Sequence, residues 1–171
     1  NSLLKPLEEP PDHLTLVLTA ENAHDLLPTI RSRSVLLYLA PLAPEELSRF
    51  VAQRNLDHAE RRIALAAGSP GVAVALDLAQ YDRRRNVMFA LVQAAAGAVP
   101  FHYWLDHADV VAARRTEKLE DYLKVLYGLL EDLLAIREGA DTFRNPELRG
   151  EMEQLAVRVS FDWIRRAVAK T

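Results

Sequence analysis

Cysteine is absent from this 171-residue sequence, and glycine is scarce at six residues. Without cysteine the chain can form no disulfide framework, no thiolate nucleophile and no cysteine-ligated zinc site. None of the glycines lies in a GxxxxGK(S/T) pattern, the loop with which P-loop proteins hold nucleoside triphosphates. The five histidines show no metal-ligand spacing, so we predict no metal site. Thiol chemistry and a P-loop nucleotide site within these residues are therefore excluded.

A membrane-length apolar run and a large excess of one charge are also missing. The longest apolar stretch, residues 87–101, is shorter than the roughly 20 residues that a membrane-spanning helix needs. No basic, apolar and small-residue signal segment opens the sequence. The net charge of −3 does not predict attachment to nucleic acid or lipid by bulk electrostatics. We therefore expect a cytoplasmic protein with no membrane partner.

The residues that are present have the balance of a soluble globular protein, with 50% apolar and 26% charged side chains. Arginine outnumbers lysine by 17 to 4. A guanidinium group pairs bidentately with carboxylate and phosphate groups, so this excess favours contacts with a partner or with phosphate over a merely solvated surface.

The first 42 residues differ in pattern from the rest. Residues 2–9 are typical of the end of a helix, halted by a Pro-Pro pair, and residues 26–31 can form one helical turn. Residues 13–19 and 34–39 are apolar runs of strand length, without alternation, which predicts strands of a sheet covered on both faces. Two strands alone are not an independently stable sheet. We therefore expect this part of the chain to expose strand edges and apolar surface.

From residue 44 onward the patterns predict helices and no further strand. Proline in the first turn favours a helix start at Pro44, and Ser69-Pro70 combines a capping serine with proline at the first helical position. Leucines at positions 119, 123, 126, 130 and 133 form an apolar stripe on a long helix. The predicted helices cover residues 44–54, 57–67, 69–79, 81–96, 101–114, 116–137, 147–158 and 161–170.

Two groups of arginines are candidate contact residues. The run Arg83 to Arg85 could meet DNA phosphate or an acidic partner, or could be a charged linker between helical units. Arg31 and Arg33 lie between a short helical turn and a predicted strand, a stiff mount from which an arginine can reach a partner's anionic group. A salt bridge within the loop, to Glu21 or Asp25, is the alternative.

The order of several motifs resembles the bacterial DNA polymerase III clamp-loader subunits of the AAA+ superfamily, and the delta-prime type of them more closely. The resemblance is dense over residues 1–79, looser over residues 80–171, and most specific at residues 26–34. It rests on NSLLKPLEEPP at the start, LVLTAEN, LLPTIRSRS, LYLAPL and AAGSPGVAVAL in order, and LYGLLEDLLAIREG further on.

The resemblance implies a mainly α fold in three pieces. These are a partial α/β remnant of the AAA+ core at residues 1–42, a three-helix lid at 43–80 and an all-α helical collar for oligomerisation at 81–171. It also implies that Arg33, within the motif Ser32-Arg33-Ser34, is an arginine finger that acts in trans on ATP held by a neighbouring subunit. Serine stands at position 34 where the family motif has cysteine. Thr19 falls where the family places its sensor-1 residue, and we interpret it as structural.

Position 71 carries glycine where ATP-hydrolysing members have a sensor-2 arginine, which favours the non-hydrolysing type. The Walker motifs and the zinc-binding cysteines of the family are missing from this chain, so we expect a C-terminal fragment of a larger subunit. The implied function is assistance in ATP-dependent loading of the sliding clamp on primed DNA, with no enzyme active site and no cofactor in this chain. The implied partners are the gamma/tau and delta subunits and, through the complex, the clamp and primer-template DNA.

Two alternatives stay open. One is a fragment of an ATP-hydrolysing gamma/tau-type subunit, which only the residues upstream of Asn1 would distinguish. The other is a helical interaction scaffold with no link to nucleotide.

Overall fold

The computed structural model describes residues 4–9, 11–20, 22–112, 117–140 and 143–170. It is mainly α-helical and divides into two compact units, Asn1–Ala40 and Pro41–Thr171. Across the described residues no helix is both long and apolar enough to cross a bilayer. The helices are α1 (Leu4–Glu8), α2 (Pro28–Arg31), α3 (Pro44–Gln53), α4 (Ala59–Ala66), α5 (Pro70–Ala75), α6 (Leu78–Ala95), α7 (Phe101–Ala112), α8 (Leu119–Arg137), α9 (Arg149–Arg158) and α10 (Phe161–Lys170), with 3-10 turns at Ala23–Asp25 and Pro146–Leu148.

The first unit contains α1, α2 and the turn Ala23–Asp25, and α1 packs against α2. The two predicted strands are wrong for the structure as described, because residues 13–19 and 34–39 adopt no strand. A strand needs neighbouring strands to pair its backbone groups, and these two segments do not form such a ladder with each other. Large apolar side chains on both segments are exposed, as expected for an apolar surface without a cover: Leu14, Leu16, Val17, Leu18, Val35, Leu36, Leu37, Tyr38 and Leu39.

Helices α3 to α5 pack on one another around a small apolar core. The predicted cap of the third of them is confirmed, since the Ser69 hydroxyl accepts a hydrogen bond from the Val72 N–H at 3.4 Å and Pro70 occupies the first turn. The helix ends at Ala75 rather than at residue 79, because Asp77 caps the next helix by accepting from the Gln80 N–H at 2.9 Å. The core residues are Leu47, Val51, Ala66 and Ala73.

Helices α6 to α10 form the larger bundle, in which α6 packs on α7 and α8, and α8 packs on α9 and α10. The predicted leucine stripe is confirmed at Leu130 and Leu133, which are buried in the bundle core. Leu119, the first residue of α8 and of the predicted stripe, is 72% exposed, so the stripe is not buried at that end of the helix. The predicted end of the fifth helix at residue 114 and start of the sixth at residue 116 lie outside the described residues.

The connection from α4 to α5 places a non-glycine residue in the left-handed region. Ala67 has φ 46° and ψ 45°, a conformation that costs an L-residue about 1–2 kcal/mol and that glycine adopts freely. Gly68 follows with φ +83°, and a Cβ built there would lie 2.6 Å from the Pro41 Cβ. The turn therefore suits glycine at both positions but has it only at the second.

We expect Ala67→Gly to raise the free energy of unfolding by about 1 kcal/mol, since it removes the left-handed strain at an exposed position. Urea unfolding of the 171-residue chain measures the change. The matched control is Ala52→Gly, at an exposed position of α3, where helix propensity predicts a loss of about 1 kcal/mol. An Ala67→Gly chain no more stable than the unchanged protein would show that the turn carries no strain.

Candidate functional site

The candidate site is the turn of residues 28–34, called here the arginine turn. Pro28 begins α2 because its ring fixes φ near the helical value and it needs no hydrogen bond to its nitrogen. The helix is one turn long, and the Ser32 N–H closes it by donating to the Pro28 and Ile30 carbonyls. Arg33 follows directly, held by a backbone hydrogen bond of 3.1 Å from its N–H to the Ile30 carbonyl. The short helix thus fixes the backbone from which the arginine projects.

The two serines of the motif hydrogen-bond residues 32–34 to the carbonyl groups of α2. The Ser34 hydroxyl donates to the Ile30 carbonyl at 2.8 Å, and the Ser32 hydroxyl donates to the Thr29 carbonyl at 3.3 Å. These bonds satisfy carbonyls that the end of a helix leaves without an intrahelical partner. The Ser34 hydroxyl therefore stabilises the backbone of the turn through its hydrogen bond to the Ile30 carbonyl.

The Arg33 side chain is 38% exposed and has three polar contacts. Its Nη2 lies 3.0 Å from the Glu8 Oε1, and its Nη1 donates to the Thr29 carbonyl at 3.1 Å and to the Ser32 hydroxyl at 3.4 Å. The predicted salt bridge to Asp25 is not the one that forms, and Glu21 lies outside the described residues. Sequence reasoning missed Glu8, because only the packing of α1 on α2 brings these two side chains together.

Arg31 and Thr19 are not part of this contact set. The Arg31 Nη1 lies 3.3 Å from the His24 Nδ1, on the 3-10 turn that precedes α2. Thr19 is exposed in an extended segment, and no hydrogen bond is described between it and Ser32, Arg33 or Ser34. The structure therefore fixes the three motif residues by hydrogen bonds on one turn and describes no hydrogen bond from them to Thr19.

The arginine run 83–85 is not a linker, because it lies within α6. Arg84 pairs with Glu117 at 3.0 Å and with Asp121 at 2.9 Å, while Arg85 is buried and pairs with Glu147. Arg83 is the exposed member of the run. Two of the three guanidinium groups are thus bound within the protein, and the interpretation of the whole run as a charged linker is wrong.

The Glu117 carboxylate accepts the hydrogen bond from the Arg84 Nε. The pKa of Glu117 lies below its ordinary value because hydrogen bonds from the Tyr122 hydroxyl and from the Arg84 guanidinium stabilise the charged form. The Arg84 guanidinium also lies over the Tyr122 ring, 5.7 Å from its centroid. The Arg84 guanidinium therefore pairs with carboxylates through its N–H groups and stacks on the Tyr122 ring through its planar face.

Charged side chains also join the α3–α5 helices to the larger bundle. Arg61 on α4 pairs with Asp82 on α6 and lies 3.2 Å from the Glu147 carboxylate, which also binds Arg85. Asp82 raises the pKa of Arg61 by accepting its hydrogen bonds. This cluster consists of residues with structural partners, so it is a joint between helices and not a binding site.

The described residues also include an open groove on the α3–α5 helices. This groove of about 570 Å³ lies along α3 and α4, lined by Pro44, Glu45, Ser48, Arg49, Glu60 and Ile63. Among the described residues no three histidine, aspartate or glutamate side chains converge as metal ligands would. The arginine turn remains the candidate site because it holds a partly exposed guanidinium group on a backbone fixed by hydrogen bonds.

Comparison with known proteins gives three findings. A family model described as "DNA polymerase III, delta subunit" matches residues 1–43, which include the arginine turn. The chain is 37% identical, over 94% of its length, to DNA polymerase III subunit delta' of Escherichia coli (strain K12), of which it covers 47%. It thus spans about half the length of this curated relative. No solved structure matches the chain.

Proposed function

We propose that the chain belongs with the delta-prime subunits of DNA polymerase III, to one of which it is 37% identical, and that it works as a non-hydrolysing clamp-loader subunit. In this role it assists ATP-dependent loading of the sliding clamp onto primed DNA. Its partners are the gamma/tau and delta subunits, and it meets the clamp and the primer-template through the complex. The observation that carries the proposal is the exposed Arg33 on its fastened turn, within the matched part of the chain.

Arg33 acts as an arginine finger on ATP held by the neighbouring subunit. As the γ-phosphoryl group passes to water, charge spreads over its oxygens, and a guanidinium group supplied from outside stabilises that charge. The group must be held in place before the reaction, since flexible positioning costs binding entropy. The hydrogen bonds of Ser32 and Ser34 to α2 supply this rigidity to the backbone on both sides of Arg33.

The glycine at position 71 supports the non-hydrolysing role. It lies in α5 with no positive φ, and a Cβ built on it would meet no atom within 4 Å. Neither backbone geometry nor crowding at the Cβ position therefore demands glycine here. The chain nevertheless has no guanidinium at this position, as expected of a subunit that hydrolyses no ATP itself.

The bundle of α6 to α10 serves as the collar that holds the subunit in the assembly. Arg84 and Arg85 support its internal packing, since their partners are acidic groups of the same bundle. They are accordingly not DNA contacts in this account. Arg83 is the one member of that run left exposed for a phosphate or an acidic partner.

The experiment that tests the proposed role is omission and add-back in a reconstituted clamp loader made with the full-length protein and its cognate subunits. We expect clamp loading on primed DNA to fall to background without the protein and to return when it is added. The measurement is the fraction of primed DNA carrying a clamp. Equal loading with and without the protein would contradict the role and favour a scaffold unconnected with the loading reaction.

A further inference from the structure

Among the described residues, Glu8 is the acidic side chain that pairs with Arg33. It is the last residue of α1, its side chain is 52% exposed, and its Oε1 lies 3.0 Å from the Arg33 Nη2. The Nη1 atom of the same guanidinium is engaged by the Thr29 carbonyl and the Ser32 hydroxyl. Both terminal nitrogens of Arg33 are therefore occupied within the chain.

A phosphate group would have to compete for the same atoms. A guanidinium binds an oxyanion most strongly with two parallel hydrogen bonds, and each of its two binding edges includes Nη2, next to Nη1 or next to Nε. The Glu8 carboxylate lies on Nη2 and also repels a second anion that approaches it. The Nη2 atom keeps a second N–H group, but a phosphate that binds the same guanidinium while the Glu8 contact is in place does so against the negative charge of the carboxylate.

We propose that Glu8 is a positioning residue that holds Arg33 in a parked conformation, from which the arginine is released when a neighbouring nucleotide phosphate displaces the carboxylate. The inference rests on the proposed arginine-finger function. Because both members of the pair are partly exposed, their ion pair is weak enough to be exchanged for a phosphate contact. The backbone of the arginine turn keeps its own hydrogen bonds in both conformations, so only the side chain has to move.

Glu8→Gln tests the proposal, because it removes the charge and leaves the size of the side chain nearly unchanged. In a clamp loader reconstituted with the full-length protein, we expect DNA-stimulated ATP turnover to rise about two- to fivefold, the range set by an exposed ion pair. The matched control is Glu9→Gln, which removes the next acidic residue, exposed and not paired with Arg33, and is expected to leave turnover unchanged.

A double substitution separates positioning from a merely structural effect. If Glu8 acts through Arg33, adding Glu8→Gln to Arg33→Ala changes nothing further, whereas a structural effect of Glu8 persists in that background. Unchanged or lower turnover with Glu8→Gln, while Arg33→Ala abolishes it, would overturn the parking role alone. Unchanged turnover with Arg33→Ala would overturn the arginine-finger function and the parking role together.

Discussion

Replacing Arg33 with alanine is expected to slow ATP hydrolysis at the neighbouring subunit's site by about a thousandfold or more, the effect of losing an arginine finger in known NTPases. The loss follows from charge alone, since alanine leaves the developing negative charge on the phosphoryl oxygens without its external cation. The fold should survive the change. Arg33 is partly exposed, and its contacts with Glu8, Thr29 and Ser32 are local to the first unit.

DNA-stimulated ATP turnover measures this effect in a reconstituted clamp loader whose other ATP sites have been inactivated. Arg31→Ala is the matched control, because Arg31 lies on the same turn, faces His24 and should be dispensable for turnover. Arg33→Lys keeps one positive charge but loses the planar fork, so we expect it to recover only part of the rate. Equal losses with Arg31→Ala and Arg33→Ala would point to damage of the turn rather than to loss of a finger.

Replacing Asp132 with alanine is expected to destabilise the α6–α10 bundle by about 3 kcal/mol or more. Its side chain is 2% exposed and accepts from the Arg144 N–H at 3.0 Å and from the Asn145 side-chain amide at 2.9 Å. Asn145 in turn accepts from the Tyr81 hydroxyl at 2.9 Å, so the network joins α6, α8 and the turn before α9. Burial raises the pKa of Tyr81, so its hydroxyl stays a hydrogen-bond donor. Removing the carboxyl group leaves the buried Asn145 amide and the partly buried Arg144 N–H without this acceptor.

Urea unfolding of the 171-residue chain measures this loss. The neighbouring Glu131 provides the matched control, because it also pairs with Arg144, at 2.6 Å, but is largely exposed. Glu131→Ala should cost no more than about 1 kcal/mol, as exposed ion pairs do. If both alanine variants lowered the free energy of unfolding by a similar amount, burial would not explain how much Asp132 stabilises the bundle.

The helices beyond residue 44 could be predicted from sequence because their signals are local. Pro44 and the Ser69-Pro70 pair act within one turn of the helix they begin, and α10 covers the predicted residues 161–170. The strands could not be predicted in this way. Apolar content marks residues 13–19 and 34–39 as segments that need a cover, but a strand exists only where another strand pairs with it.

In the candidate site, too, local features could be predicted from the sequence, whereas contacts between distant elements could not. Sequence placed Arg33 on a short exposed turn, and the structure describes it there, since proline and serine chemistry set that turn locally. The Glu8 contact and the partners of Arg84 and Arg85 come from elements distant along the chain. No periodicity in one sequence pairs such residues, which is why the sequence predicts a helix over residues 81–96 but not the ion pairs that Arg84 and Arg85 form from it.

The most direct test of the trans role is ATP hydrolysis in a clamp loader where only the site facing Arg33 can react. Substituting the phosphate-binding lysine in the other ATP-binding subunits isolates that site. A single-turnover experiment then compares the unchanged protein with Arg33→Ala. The account predicts rates that differ by about a thousandfold or more. Equal rates would contradict it and would leave Arg33 as an ordinary surface arginine paired with Glu8.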